Sequence, residues 1–302
     1  MTGTDASETA ASAPQRRPTL ACVTMAYNET DMLPIWLRHY GAQVGPEACY
    51  VVDHGTNDGS TNDLRGANRV RLPRSVLDEP KRAAFIGEFY GALLRYYDYV
   101  MYTDSDELVV ADPAAYATLL DYVAVERAPV TTAFGMNLLH RLHHEVTVDP
   151  TKPILQQRHW GFAVASMCKP VLIQRPVKWS PGFHSADAPI VFDGLFLFHL
   201  AYYDLQTAWR RQEKRRRTEK KDATTATHHR VGDDEVRSWV EGWSRMKTDT
   251  AVTLDGNCEA TSTFAQKVTD SAVGRENAVF GVDLRLEAYT LMQIPPRFRD
   301  AF

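Results

Sequence analysis

Short apolar runs that stop at polar, turn-rich stretches alternate with segments of helical period along the first third of the chain. Residues 19–26 (TLACVTMA) form an apolar run of buried-strand type. They lead straight into Tyr27-Asn28-Glu29-Thr30-Asp31. Leu33, Trp36, Leu37 and Tyr40 follow at i, i+3, i+4 and i+7, one apolar face of a helix. Thr30 or Asp31 is expected to cap it, with Pro34 in its first turn. Residues 48–52 read as a second strand, which ends in Asp53-His54-Gly55-Thr56-Asn57-Asp58-Gly59-Ser60, a loop dense in turn formers. Residues 70–72 read as a short third strand. Pro80 opens a helix with Phe85, Phe89, Leu93 and Tyr96 on one face, and another run of β-formers, 99–103, stops at Asp104. The order β-α-β-(β)-α-β predicts an α/β fold with a mostly parallel sheet and crossover helices.

The second half is less regular. Residues 113–124 read as a helix and 130–139 as a strand. Residues 155–177 read as a pair of strands with a bulge at Gly161, and 179–187 (WSPGFHSAD) as a loop. Residues 194–201 form another strand-like run, carrying His199. The stretch 207–221 is dense in Lys and Arg (WRRQEKRRRTEKK), and 236–246 is an amphipathic helix with Val236, Trp239, Val240 and Trp243 aligned. With no repeat and no clear linker, the expectation is a single domain. Its first half is 18–112, its second 113–302, with a C-terminal helical extension. Residues 1–17, rich in Ala, Ser and Thr and lacking an apolar run, are expected to be a disordered tail.

Composition narrows the classes. The chain is 44% hydrophobic and 24% charged over 302 residues, ordinary globular values. A formal net charge of -4 gives no global pull toward nucleic acid. No window approaches the roughly 20 apolar residues of a membrane span. Cys22, Cys49, Cys168 and Cys258 are scattered without Cys-x-x-Cys spacing, which disfavours zinc sites and fits a reducing cytoplasm. The basic stretch reads either as a solvated helix face or as a lid that meets a diphosphate or an acidic acceptor.

The chemistry concentrates in YVMYTDSDELVV, residues 99–110. A strand ending in Asp104-Ser105-Asp106-Glu107 places carboxylates at the carboxyl edge of the sheet, where open α/β sheets bind ligands. Paired hard oxygen donors suit Mg²⁺ or Mn²⁺ shared with substrate phosphates, so the pattern points to nucleotide-diphosphate chemistry. There is no Gly-x-Gly-x-x-Gly, no Walker A sequence and no Gly-x-Ser-x-Gly nucleophile elbow.

Three segments, MAYNETDMLPIWLRHY, VVDHGTNDGS and YVMYTDSDELVV, stand in that order with their motifs at expected strand ends. Together they resemble the nucleotide-sugar-binding half of GT-A-fold (Rossmann-like) glycosyltransferases, glycosyltransferase family 2 in particular. The DSDELVV form looks most like the subgroup with Asp-x-Asp-Glu before an apolar residue. The resemblance covers about residues 19–112 and continues weakly through Cys168-Lys169-Pro170-Val171-Leu172-Ile173 to the His199 strand.

The resemblance implies a metal-dependent, inverting transfer of a single sugar from a nucleoside-diphosphate sugar, UDP-sugar favoured, to a hydroxyl on a small molecule or glycan. It implies that Tyr27, Asn28 and Glu29 hold the nucleoside and Asp53 the base. Lys81 and Arg82 would approach base or phosphate, and Asp104, with Ser105 beside it, ribose and metal. Asp106 and His199 would complete the Mn²⁺ or Mg²⁺ site. It leaves room for a homodimer. Two departures stand out: His54-Gly55-Thr56 replaces the commoner Asp-Gly-Ser, and no Glu-Asp pair marks the base. Asp187 is the first candidate for the base, with His184 beside it, then Asp193 and Asp204. The competing readings are a nucleotidyltransferase or metal-dependent hydrolase on the same sheet type, and a silent nucleotide-sugar-binding module. The acidic, glycine-free first loop disfavours a nucleotidyltransferase.

Overall fold

A computed structural model describes residues 16–223, 226–255, 258–274 and 279–302. Most of the tail expected over 1–17 lies outside the described residues. Its last two residues, Arg16 and Arg17, reach Asp98 at 2.8 Å and Asp121 at 3.0 Å.

The fold is mixed α/β. In chain order the first half runs β1 (Leu20–Ala26), α1 (Leu33–Val44), β2 (Cys49–Asp53), β3 (Asn68–Arg71), α2 (Glu79–Leu93), β4 (Tyr99–Tyr102) and β5 (Glu107–Ala111). The second runs α3 (Leu119–Tyr122), β6 (Val130–Leu139), β7 (Trp160–Ala163), β8 (Pro170–Ile173), β9 (Phe192–Tyr202), α4 (Leu205–Arg217), α5 (Asp233–Ser244), β10 (Lys247–Asp249) and α6 (Glu259–Asp270). It closes with β11 (Val273–Gly274), β12 (Phe280–Gly281) and β13 (Thr290–Gln293). One eleven-stranded sheet has the order β10-β13-β7-β6-β8-β4-β1-β2-β3, with β9 pairing both β6 and β5. Strands β3, β2, β1 and β4 are mutually parallel, whereas β8 pairs antiparallel with both β4 and β6. The two halves therefore share one sheet.

Side-chain alternation divides the core. Leu20 and Cys22 of β1 face the cluster that holds Trp36 and Tyr40 of α1, while Ala21 and Val23 face the one that holds Ile86 and Tyr90 of α2. A strand covered on both faces reads as a continuous apolar run, which is why β1 and β4 are legible. The expected helix faces hold with shifts. Leu33, Trp36, Leu37 and Tyr40 are all buried, but α1 begins at Met32 as N-cap with no side-chain cap, so neither Thr30 nor Asp31 serves. In α2 the buried face is Ala83, Ile86, Tyr90 and Leu93; Tyr96 lies beyond the helix and is 86% exposed.

Two further expectations fail, and one strand was not legible in the sequence. Only one helical turn, α3, forms within 113–124, held by a Thr118–Asp121 capping box. Gly161 is not a bulge: it pairs with Leu138, and a Cβ there would meet the Asn137 carbonyl at 2.8 Å, so glycine permits close strand approach. The run after Asp106 is a strand of its own, β5, which turns back to pair antiparallel with β9.

Trp36 ties the layers to the site. Its Nε1–H donates to the buried Thr103 hydroxyl at 2.8 Å, immediately before Asp104. Trp36→Phe is expected to lower unfolding free energy by about 1–3 kcal/mol through the lost hydrogen bond and residual void. Urea titration should show a shifted midpoint with unchanged slope.

Candidate functional site

The parallel strands deliver their carboxyl ends to one edge. β1 ends at Tyr27-Asn28-Glu29, β2 at Asp53 and β4 just before Asp104. The first two loops are stitched together. Asn28, with φ of 56°, donates its side-chain amide to Asn57 Oδ1 at 2.9 Å and accepts the Asn57 backbone N–H on Oδ1 at 3.0 Å, and its own backbone N–H reaches the Thr56 hydroxyl. The Glu29 N–H donates to Ser60 Oγ at 3.1 Å.

Asp53 is fully buried and both its oxygens are spent. Oδ1 accepts from the Thr56 N–H at 2.7 Å. Oδ2 accepts from Thr61 Oγ1 at 3.1 Å, Arg71 Nη1 at 2.8 Å, and the Arg69 guanidinium. Burial alone would raise its pKa, but the Thr56 amide and Arg69 outweigh it and hold it below the usual carboxylate value. Asp53 thus fixes the 53–61 loop. Arg74, two residues after Leu72, stacks its guanidinium 3.6 Å from the Tyr27 ring centroid.

The densest charge cluster surrounds the β4–β5 turn. Asp104 Oδ1 accepts from Tyr102 Oη at 3.0 Å and from Arg82 of α2. Lys169, buried just before β8, donates to Glu107 Oε1 at 2.5 Å and lies 3.5 Å from Asp104 Oδ2. Glu107 Oε2 also accepts the Asp104 N–H at 3.1 Å, closing the turn. Burial pushes the Glu107 carboxyl up, with Lys169 opposing; Asp104, also penalised by burial, is held low by Arg82 and Lys169.

Asp106 points the other way, toward β9 and α4. The antiparallel register sets Glu107 opposite His199, and the Leu200 N–H donates to the Asp106 carbonyl at 2.8 Å. His199 Nδ1 donates to Asn137 Oδ1 at 2.7 Å, which leaves Nε2 facing Asp106 Oδ2 at 3.3 Å. The same oxygen accepts from Arg211 Nη1 at 2.7 Å and Arg215 Nη2 at 3.1 Å. Arg211 also lies 3.6 Å from Glu29, Lys214 donates to the Asn28 carbonyl, and Arg210 pairs with Asp31 at 3.0 Å. The basic stretch is therefore not a solvated face. Its inner face crosses the β1 loop and the β4–β5 turn.

α4 is anchored at both ends. Asp204 caps it through the Thr207 N–H at 3.0 Å and lies 3.6 Å from the buried Arg158. Beyond it, Leu77 pairs its backbone with Glu219 and Lys221, and Lys221 bonds Asp78 at 2.8 Å.

The candidates from the sequence divide accordingly. Glu29, Arg82, Asp104, Asp106 and His199 converge, and Ser105 is buried between the two aspartates. Lys81 is exposed in the first turn of α2, its N–H capped by Asp78. His184 Nδ1 lies 2.7 Å from the Ser166 carbonyl. Asp187 accepts the Lys178 N–H at 2.9 Å and closes the 178–187 loop. Neither meets the carboxylates directly. Phe183 of that loop does come close, packing 4.3 Å from Tyr102. Asp193 pairs with Arg127, and Asp204 is the α4 cap. Lys169, Asn137, Arg69, Arg71, Arg211 and Arg215 were not singled out from the sequence. For the last two a signal existed: with Leu205 and Ala208 they recur at helical spacing on one face.

The donor types for Mn²⁺ or Mg²⁺ are present, but the arrangement does not fit the ion. Among the described residues no three His, Cys, Asp or Glu side chains converge to hold a metal. Asp104 is turned to Arg82 and Lys169, and Asp106 to two guanidinium groups. At an effective dielectric near 20, each pair of like unit charges about 4 Å apart costs about 4 kcal/mol. A dication beside Asp106 would meet about twice that repulsion from each of the two guanidinium groups, whereas an anion would be drawn to both of them and repelled by the one carboxylate between them.

No protein-family model matches the chain, and no curated protein matches it. Among solved structures it is similar to a mannosyltransferase from Pyrobaculum calidifontis in complex with GDP-Man and Mn²⁺. The identity is 18% over 45% of this chain and 39% of that one, with a TM-score of 0.28. It is also similar to a mycobacterial protein, with 20% identity, 40% and 41% coverage, and a TM-score of 0.29. The chain spans about two fifths of the length of each. Likeness of this order carries no functional argument.

Burial would raise the Asp106 pKa, but Arg211, then His199 and Arg215, hold it well below the usual value. A carboxyl lowered on folding contributes stability that is complete above its unfolded pKa, near 3.9, and is lost as pH falls toward the folded value. Asp106→Asn is expected to cost about 3–5 kcal/mol at pH 7, because Arg211 stays buried without its closest partner. In urea titrations at stepped pH, the gap to wild type should narrow below about pH 4; a constant gap contradicts the pairing.

Proposed function

We propose that this protein is a glycosyltransferase of the GT-A type. It moves a single sugar from a nucleoside-diphosphate sugar, UDP-sugar favoured, to a hydroxyl acceptor with inversion. One observation carries the reading: three adjoining acids and four protein cations meet at the carboxyl edge of parallel strands, beside two loops stitched into one wall. That edge is where open α/β sheets take ligands. The wall offers Tyr27, with Arg74 over its ring, as a platform for the nucleobase.

As the glycosidic bond breaks, negative charge grows on the diphosphate. In this reading Arg82, Lys169, Arg211 and Arg215 neutralise that charge, and cations already held by ion pairs need little reorganisation during reaction. The acceptor hydroxyl must lose a proton to a base within hydrogen-bond reach. Asp187 is proposed for this, with His184 lining the acceptor side. Their loop abuts the donor site through Phe183 and borders a cavity of about 210 Å³ lined by Ser180, Pro181, His184, Ser185, Val282 and Leu284. The acceptor is a small molecule or a glycan.

The test is nucleoside-diphosphate release from a panel of nucleotide sugars, with product anomers read by NMR. The expected outcome is release from one donor, an α-linked donor giving a β-linked product, and a melting temperature raised by its nucleoside diphosphate. At about 100-fold over Kd, such binding adds about 2.7 kcal/mol. Asp187→Asn is expected to lower kcat by about 10²-fold or more with little change in donor KM. The reading is contradicted if no nucleoside diphosphate shifts the melt and no sugar donor is consumed.

A further inference from the structure

We propose that Arg211 and Arg215 bind the donor diphosphate in the place that the resemblance assigns to a divalent metal, so that nucleoside-diphosphate binding needs no metal ion. The inference rests on the donor-site reading above and adds to it the identity of the charge-neutralising groups.

Four observations support it. First, α4 is fastened at both ends, so its inner face is held against the β4–β5 turn. Second, Arg211 and Arg215 stand one helical turn apart and share a single carboxylate oxygen, Asp106 Oδ2. Glu29, at 3.6 Å, gives Arg211 a second carboxylate, so it is Arg215 that must share its one ion-pair oxygen with another cation. Arg215 registers this: burial first, and then the charge of Arg211, push its pKa down. Third, Arg211 is 4% exposed and its buried Nε–H has no hydrogen-bond acceptor. Fourth, Arg215 is 27% exposed, so one of the two forks opens outward to solvent. A guanidinium presents planar, parallel N–H groups that match phosphate oxygens two at a time. Lys214, on the Asn28 carbonyl, brings a third cation to the β1 loop. A diphosphate arriving here relieves the repulsion between the arginines and gives the spare donor an acceptor. A dication would add to the repulsion.

The experiment is calorimetric titration of UDP and of GDP into the full-length protein in EDTA, repeated with Mn²⁺, for wild type, Arg215→Gln and Arg215→Lys. One nucleotide is expected to bind in EDTA with affinity within about threefold of that in Mn²⁺. Arg215→Gln should weaken it about tenfold or more, equivalent to at least one lost charge-assisted hydrogen bond. The matching nucleoside should lose less than about twofold, because it carries no phosphate, and Arg215→Lys should recover part of the loss. Binding that appears only with Mn²⁺ overturns the inference and leaves the donor-site reading standing. So does an Arg215→Gln protein that binds like wild type. If folded wild-type protein binds neither nucleotide with or without Mn²⁺, the donor-site reading fails and takes the inference with it. The comparison of EDTA with Mn²⁺ needs no variant, so it decides even if Arg215→Gln misfolds.

Discussion

Three carboxylates, Asp104, Asp106 and Glu107, lie within four residues of chain at the end of one strand, and two of them are almost fully buried. Burying an isolated carboxylate costs several kcal/mol even after relaxation, so each must be met by a cation or a hydrogen-bond donor. This requirement organises much of the molecule. Lys169 arrives from the start of β8, Arg82 from α2, His199 from β9, and Arg211 and Arg215 from α4. These partners bring elements far apart in sequence to one short turn. The β5–β9 register sets His199 opposite Glu107, with its Nε2 3.3 Å from Asp106 Oδ2.

The charge requirement and the proposed chemistry point in the same direction. A site built to compensate buried acids with arginine and lysine holds fixed positive groups at the sheet edge before any ligand arrives. If the ligand is a diphosphate, those groups are already oriented, and only their pairing changes. Asp53 plays a quieter part. With both oxygens hydrogen-bonded, it holds the 53–61 loop and gathers Arg69 and Arg71 onto one carboxylate oxygen. Asp204 and Arg158 do the equivalent for α4, fixing the helix start far from the solvent.

Much of this was legible in the chain where burial on both faces produces a continuous apolar run. β1, β4 and β6 were read close to their true bounds for that reason. The helical face of α1 was read correctly because a single period of 3.6 dominated. Legibility failed where polar groups set the structure. The Asp104–Asp106 turn looked like the end of one strand, yet it joins two, because β5 is defined by its pairing with β9, a partner some ninety residues on. The same failure hid Lys169, a lone cation in an apolar run with nothing local to announce its partner. The arginines of α4 read from the sequence as a solvated charge run or as a lid over a diphosphate, without a choice of face, since charge density masks periodicity. Only the apolar positions Leu205 and Ala208 reveal which face turns inward. Loop composition alone points to His184 and Asp187; Asp187 closes its own loop on the Lys178 N–H, and His184 reaches across to the Ser166 carbonyl.

In the proposed donor site the β1 loop, the β2 loop, the β4–β5 turn and α4 act as one ligand-binding unit. Hydrogen–deuterium exchange with and without saturating nucleoside diphosphate tests it directly. Slowed exchange is expected in residues 27–30, 53–61, 103–107 and 205–221 together, with the far edge strands β10 and β13 unchanged. Protection confined to other segments, or a protected β1 loop with α4 unaffected, would contradict it.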